Sequence, residues 1–181
     1  MNITFIGGGN MAAALIGGML QQGFAKSQIN VVEISAENRE KIKRTFDINA
    51  VMELITGVLG SDVIILAVKP QQLKELAREL APLLNNQMII SIAAGIRATD
   101  ISRWLGGHQC VVRAMPNTPA LVRAGVTGLY ALPAVSAQER KNAEAILAAV
   151  GTVLWVEREE MLHAITAISG SGPAYIFYFI E

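Results

Sequence analysis

With 181 residues, 52% of them hydrophobic and 17% charged, the chain has ample apolar material for a buried core and a composition far from that of disordered proteins. Its Lys+Arg and Asp+Glu totals are both 15, so no net field draws nucleic acid or an anionic membrane surface, and no unbroken apolar run approaches the length that spans a bilayer. The single cysteine, Cys110, can form no internal disulfide and no basic-then-apolar leader precedes the first strand, which together lead us to expect a cytoplasmic protein.

The chain opens on a short apolar run, Ile3, Phe5 and Ile6, broken at once by Gly7, Gly8 and Gly9. Met11 to Leu20 suits a helix, and Gly23 stands where a helix C-cap glycine belongs. This strand–turn–helix carries Gly7-x-Gly9-x-x-Ala12, the G-x-G-x-x-G/A dinucleotide fingerprint. Gly7 makes the tight turn, Gly9 lets the backbone approach a pyrophosphate, and Ala12 lets the helix pack closely on the strand. Free N–H groups at the helix start would hold the phosphates. Ile29–Ile34 is a second strand, and Ser35 caps a polar helix over Ala36–Thr45. Glu33 stands 21 residues after Ala12, where an acidic residue meets the adenosine ribose 2′-OH. A carboxylate there favours NAD, whereas Ser35, Asn38 and Arg39 just beyond it could hold the 2′-phosphate of NADP; Arg39 could equally be a solvated helix charge.

A short strand near Ile48–Val51 and a helix over Glu53–Leu59 precede Val63–Val68, a continuous apolar run of the kind expected for a parallel strand covered on both faces. Lys69-Pro70 ends it, and Pro70 starts a helix on which Leu73, Leu76, Ala77 and Leu80 recur at helical spacing. Gln87–Ile92 is the next strand, followed by Ala93-Ala94-Gly95, a short helix capped by Thr99 or its neighbour and ending at Trp104, and a strand at Gln109–Ala114. Alternating strands and helices specify an α/β fold, a Rossmann-type doubly wound, mostly parallel sheet. Beyond residue 120, strands at Val126–Leu132 and Thr152–Val156 flank a helix over Ala137–Val150 that opens with a Ser136/Glu139 capping box. These strands could extend the sheet, with an antiparallel pairing at its edge. Met161–Ile168 is helical, Ser169–Ala174 is a break, and Tyr175–Glu181 begins an apolar helix. That helix stops without a capping signal, so the chain is expected to be a fragment, or to have lost a following domain. The division is residues 1–157 as an NAD(P)-binding domain and 158–181 as the start of a C-terminal helical domain.

Ligands in such sheets bind beyond the carboxyl ends of the strands. Gly7–Met11, Glu33–Ser35, Ala67–Pro70, Ala93–Gly95 and Pro116–Thr118 should therefore converge on one crevice. No nucleophilic triad is visible, and His108 and His163 have neither an H-x-x-x-H spacing nor a cysteine partner, so no metal site is expected. His163 reads as an exposed or hydrogen-bonded helix residue, and Cys110 as a packing thiol. A crevice of small residues and amides suits hydride transfer, in which the cofactor carries the reactive atom. Ala93-Ala94-Gly95 is small enough for a nicotinamide ring to lie against it. Asn117 and Thr118, held by Pro116 and Pro119, could hydrogen-bond a carboxamide or a substrate, or the prolines could merely shape a turn. No catalytic acid or base is assigned.

Five stretches in order, Ile6-Gly-Gly-Gly-Asn-Met11, Ala67-Val-Lys-Pro70, Ser91-Ile-Ala-Ala-Gly95, Arg113-Ala-Met-Pro-Asn-Thr-Pro-Ala120 and Ser169-Gly-Ser-Gly-Pro-Ala-Tyr175, resemble the ordered motifs of the pyrroline-5-carboxylate reductase family. The resemblance runs over the whole 181 residues. It implies reduction of the cyclic imine 1-pyrroline-5-carboxylate to L-proline, the last step of proline biosynthesis, with NADP(H), or NAD(H) as the alternative. It implies that Ile6, Gly7, Gly8, Gly9, Asn10, Met11, Ala67, Val68, Lys69 and Pro70 hold the cofactor, alongside Glu33, Ser35 and Arg39. Ile92, Ala93 and Ala94 would line the nicotinamide site. Asn117, Thr118, Ser169, Gly170, Ser171 and Gly172 would lie near the reacting end. It further implies a homodimer or higher oligomer formed by a following helical domain, whose Gly-Gly-Thr-Thr stretch has no match here. Glu33 stands where NADP-preferring members tend to carry a small hydroxyl residue, and Leu54 lies where some carry an adenosine-side asparagine. Two other readings stay open: a dehydrogenase of the β-hydroxyacid type, which would want a lysine base although none follows Lys141, and a nucleotide-binding fragment without catalysis.

Overall fold

The computed structural model describes residues 1–180; Glu181, expected to belong to the C-terminal helix, lies outside the described residues. Eight strands form one sheet: β1 (Ile3–Ile6), β2 (Ile29–Val32), β3 (Asn49–Val51), β4 (Val63–Leu66), β5 (Met88–Ser91), β6 (Val111–Met115), β7 (Gly125–Ala131) and β8 (Gly151–Trp155). Their spatial order is β3-β2-β1-β4-β5-β6-β7-β8. From β3 to β6 all neighbours are parallel. The antiparallel pairing is β7 on β6, one strand in from the edge, and the edge strand β8 runs parallel to β7. The chain winds outward from β1 to β3, then crosses back to place β4 on the other side of β1. That switch opens a crevice between the ends of β1 and β4.

Helices α1 (Asn10–Gln21), α2 (Ala36–Phe46), α3 (Leu54–Val58), α4 (Pro70–Leu80), α5 (Ala98–Trp104) and α6 (Ala137–Leu147) cover both faces. Successive strand side chains point to opposite faces. Ile3, Phe5, Ile65, Ile90 and Val112 pack with Leu15, Ile16 and Met19 of α1 and Ile146 of α6. Ile6, Ile64, Leu66 and Ile89 pack with Leu73, Ala77 and Leu80 of α4 and Ile101 of α5. Every residue of β4 is buried, which is why its sequence is apolar without alternation.

Local chemistry sets several ends. At the close of α1 the Gly23 N–H donates to the Leu20 carbonyl and the Phe24 N–H to the Met19 carbonyl. This is a Schellman pair, which needs the left-handed φ of +93° that Gly23 adopts. Ser35 caps α2, its hydroxyl accepting the Asn38 N–H at 3.3 Å, and Ser136 and Glu139 form the expected capping box of α6.

Four expectations are corrected. The strands are shorter than the apolar runs: β2 ends at Val32, β4 at Leu66 and β5 at Ser91, so Glu33, Ile34, Ala67, Val68 and Ile92 lie in the turns beyond. Likewise β6 starts late, at Val111 rather than Gln109, although it runs on to Met115. Helix α5 starts at Ala98 without a side-chain cap from Arg97; the Ala98 N–H is met by Glu159 Oε1 at 2.7 Å, from 61 residues away. Finally, Ser169–Ala174 does not break the chain: α7 (Met161–Ile165) passes through a π-helical turn at Thr166–Ser171 into α8 (Gly172–Ile180). The wider turn accommodates Pro173, whose ring would clash with a carbonyl of a regular helix. Among the described residues no helix is long and apolar enough to cross a membrane.

Candidate functional site

A groove of about 640 Å³ lies at the carboxyl ends of β1, β2 and β4. The glycine turn forms its floor. Gly7 has φ +101°, and a Cβ there would stand 2.6 Å from the Ala67 carbonyl oxygen, so only glycine lets the two strand ends meet. Gly9 differs: its φ of −71° is ordinary, and a Cβ would meet nothing within 4 Å. Ala12, in the first turn of α1, is buried in the core between the helix and the sheet. Helix α1, like α3 and α4, has neither a side-chain cap nor an acidic residue in its first turn, whereas α2, α5 and α6 are all capped by side chains. Its first N–H groups are thus left for an anion, with the positive end of the helix dipole behind them.

The groove brings together Ile6, Gly7, Gly8, Gly9, Glu33, Ser35, Ala67, Val68, Lys69 and Leu54 of the residues singled out in the sequence. Asn10 and Met11 open α1, and Pro70 is the first residue of α4. The turn after β2 is tightly tied. Glu33 Oε2 accepts the Gly8 N–H at 2.8 Å and its Oε1 accepts the Ser35 N–H at 2.8 Å. Arg39 Nη1 donates to the carbonyls of Glu33 and Ile34 at 2.7 and 2.9 Å. The arginine considered for a 2′-phosphate is therefore engaged with backbone, and the carboxylate considered for a ribose also braces the glycine turn.

Ile92, Ala93 and Ala94 follow β5 outside this groove; Ala93 is buried, Ala94 exposed and Ile92 intermediate. Asn117, Thr118, Ser169, Gly170, Ser171 and Gly172 also lie outside it. Thr118 is exposed, while Asn117 is partly buried with both ends of its amide bonded, Oδ1 to the Val126 N–H at 2.9 Å and Nδ2 to the Ser169 carbonyl at 3.3 Å.

Sequence reasoning missed part of the lining. Met52, Gln72, Glu75, Leu76 and Glu79 also face the groove; the last four recur at helical spacing on α4, beside the apolar stripe that packs on the sheet. It also missed Arg113. This residue is 2% exposed and its Nη1 bonds Glu159 Oε1 at 2.9 Å, the same oxygen that caps α5. The pair joins β6, the start of α5 and the segment before α7.

His163 is exposed, and His108 Nε2 lies 2.7 Å from the Gln87 carbonyl. No group of three or more His, Cys, Asp or Glu side chains gathers as a metal site among the described residues. Burial pushes the Cys110 thiol up to about 12, helped by its hydrogen bond to Glu139 and that carboxylate's charge; Cys110 Sγ donates to Glu139 Oε1 at 3.0 Å. The thiolate is the reactive form. Ellman's reagent at pH 8 is thus expected to label the folded chain on the order of a hundredfold more slowly than the urea-unfolded chain. Equal rates, followed by absorbance, would show a free thiol.

The family model described as NADP oxidoreductase, coenzyme F420-dependent, matches residues 2–95, and the model for pyrroline-5-carboxylate reductase dimerisation matches residues 159–181. A pyrroline-5-carboxylate reductase of Pseudomonas aeruginosa is 48% identical over 180 residues, which are 99% of this chain and 66% of that protein. A solved pyrroline-5-carboxylate reductase from Coxiella burnetii superposes with a TM-score of 0.93 at 42% identity, over 98% of this chain and 67% of that one. The Plasmodium falciparum enzyme, solved with NADP bound, gives a TM-score of 0.86 at 27% identity, over 99% and 66%. The chain thus spans about two thirds of the length of the relatives it matches. With that identity running through the nucleotide fingerprint and on into the final helix, the chain belongs to the pyrroline-5-carboxylate reductase family.

Proposed function

We propose that the chain carries the NAD(P)-binding domain, residues 1–157, and the opening of a helical dimerisation domain, residues 158–181, of an enzyme that reduces 1-pyrroline-5-carboxylate to L-proline. The observation that carries this reading is the uncapped start of α1 beside Gly9, whose missing side chain leaves the groove open where a diphosphate would approach. A bound NADPH or NADH supplies the hydride. Gly7–Met11 and Ala67–Pro70 hold its diphosphate and inner ribose. Exposed Ile34 and Met52, with Leu54, offer apolar surface to an adenine. Ile92–Ala94 and Ser169–Gly172 enclose the reacting end. A protonated imine carbon is electrophilic by itself, so these residues need only place it and exclude water.

NADP is the cofactor named for the Plasmodium relative. Against it stand Glu33, Glu75 and Glu79 on the groove wall, where Lys69 is the one cation among the described residues. Glu33→Ser is therefore expected to raise the NADPH/NADH preference about tenfold, by removing a charge that repels a 2′-phosphate. Fluorescence titration with both cofactors checks it; an unchanged ratio would remove Glu33 from cofactor selection.

Six exposed apolar residues on α8, Tyr175 to Ile180, are 60% to 83% accessible, which supports a homodimer formed through that end. The deciding assay is pyrroline-5-carboxylate-dependent oxidation of NADPH and NADH by the chain. Cofactor binding without imine-dependent turnover would reduce the reading to nucleotide binding alone.

A further inference from the structure

Pro173 has no N–H, so the carbonyl four residues earlier, that of Ser169, lacks its α-helical donor. The helix widens at this point, and the Gly172 N–H reaches back five residues to the Ala167 carbonyl. The donor that Pro173 cannot supply comes from another element. Asn117 Nδ2 donates to the Ser169 carbonyl at 3.3 Å. The Val126 N–H, at 2.9 Å, can be met only by the oxygen of that amide, which commits the nitrogen to Ser169. The Ser169 hydroxyl is itself turned back onto the Ile165 carbonyl at 2.8 Å. Asn117 is held between buried Pro116 and the 3₁₀ turn Thr118–Val122, just past β6. A Cβ on Gly170 would come within 3.9 Å of Met115 at the end of β6, so the widened turn lies against this strand end. Widened turns of this kind recur at functional sites.

We propose that Asn117 is a positioning residue that does not itself contact the substrate: by standing in for the donor missing at Pro173, it holds the π-helical turn against the end of β6 and so fixes Gly170–Gly172 at the reacting end of the cofactor. This rests on the reductase reading above. It differs from the direct hydrogen bond to a carboxamide or substrate that the sequence suggested, because both ends of the amide are already bonded within the chain.

Three variants of the full chain test it. Asn117→Ala removes both bonds. Asn117→Asp keeps an acceptor for Val126 but turns an oxygen towards the Ser169 carbonyl. Pro173→Ala, added to Asn117→Ala, returns a backbone N–H to Ser169. In Asn117→Ala the Gly172 amide is expected to exchange with deuterium about tenfold faster, and kcat/KM for the imine to fall about tenfold, with NADPH affinity within about twofold of wild type. Asn117→Asp should keep Val126 protected yet show the same loss at Gly172 and in turnover. The double variant should recover both. Rescue by Asn117→Asp, unchanged Gly172 exchange in Asn117→Ala, or no recovery with Pro173→Ala would each overturn the proposal. A wild-type chain with no imine-dependent turnover counts against the reductase reading alone. The exchange pattern and its recovery then still decide whether Asn117 holds the turn.

Discussion

Gly9→Val is expected to yield a folded protein that has lost at least about a hundredfold in affinity for NADPH and NADH. The backbone at Gly9, φ −71° and ψ −175°, is available to any residue, and a Cβ there meets no protein atom within 4 Å. The only local cost is a poorer N-cap, about 1 kcal/mol. The new isopropyl group would instead occupy the approach to the first amides of α1, where a diphosphate must come close. Gly7→Val provides the contrast. Its φ of +101° and the Ala67 oxygen 2.6 Å from a Cβ leave no room, so that variant should lose the joint between β1 and β4 and fail to fold properly. Fluorescence titration and thermal melts of both variants separate the two roles. Wild-type affinity in a folded Gly9→Val protein would remove the diphosphate from this turn.

Glu159→Ala should be the most damaging single change away from the groove. Arg113 is 2% exposed and Glu159 11%; Arg113 Nε has no hydrogen-bond partner among the described residues. Removing the carboxylate leaves a buried guanidinium uncompensated and takes the acceptor from the Ala98 N–H. Breaking a buried pair in this way costs about 3–5 kcal/mol. For a chain of this size that lowers Tm by on the order of 10 °C. Arg113→Met combined with Glu159→Met should regain much of the loss, since a well-packed apolar pair carries no desolvation penalty. Calorimetry decides: a Tm for Glu159→Ala within about 1 °C of wild type would show that the pair contributes nothing net. The same carboxylate anchors the start of α5, which follows Ile92–Arg97, so the damage should reach the cofactor end of the sheet.

Arg113 also illustrates where reading a linear sequence stops. It stands in an apolar strand run, and its partner lies 46 residues further on; no periodicity marks the two as neighbours. Glu159 looks like one of several surface charges before α7, yet it replaces the cap that Thr99 was expected to supply. Pro173 reads locally as a helix breaker. It is tolerated because the helix can widen and because Asn117 brings a donor from across the fold. Glu33 has the position that the fingerprint predicts, but its bonds to Gly8 and Ser35 depend on how the turn after β2 folds back on the turn after β1.

The chain's own order of residues determined the parallel sheet, the glycine turn and most helix caps, because hydrophobic period, glycine and capping side chains act over a few positions and need no distant partner. The tertiary structure alone decided which polar groups meet: Glu159 with Arg113 and Ala98, Asn117 with Ser169 and Val126, Arg39 with the turn after β2. A buried donor or acceptor must find a partner wherever the fold supplies one, and that choice is made in space, between residues whose separation along the chain carries no sign of it.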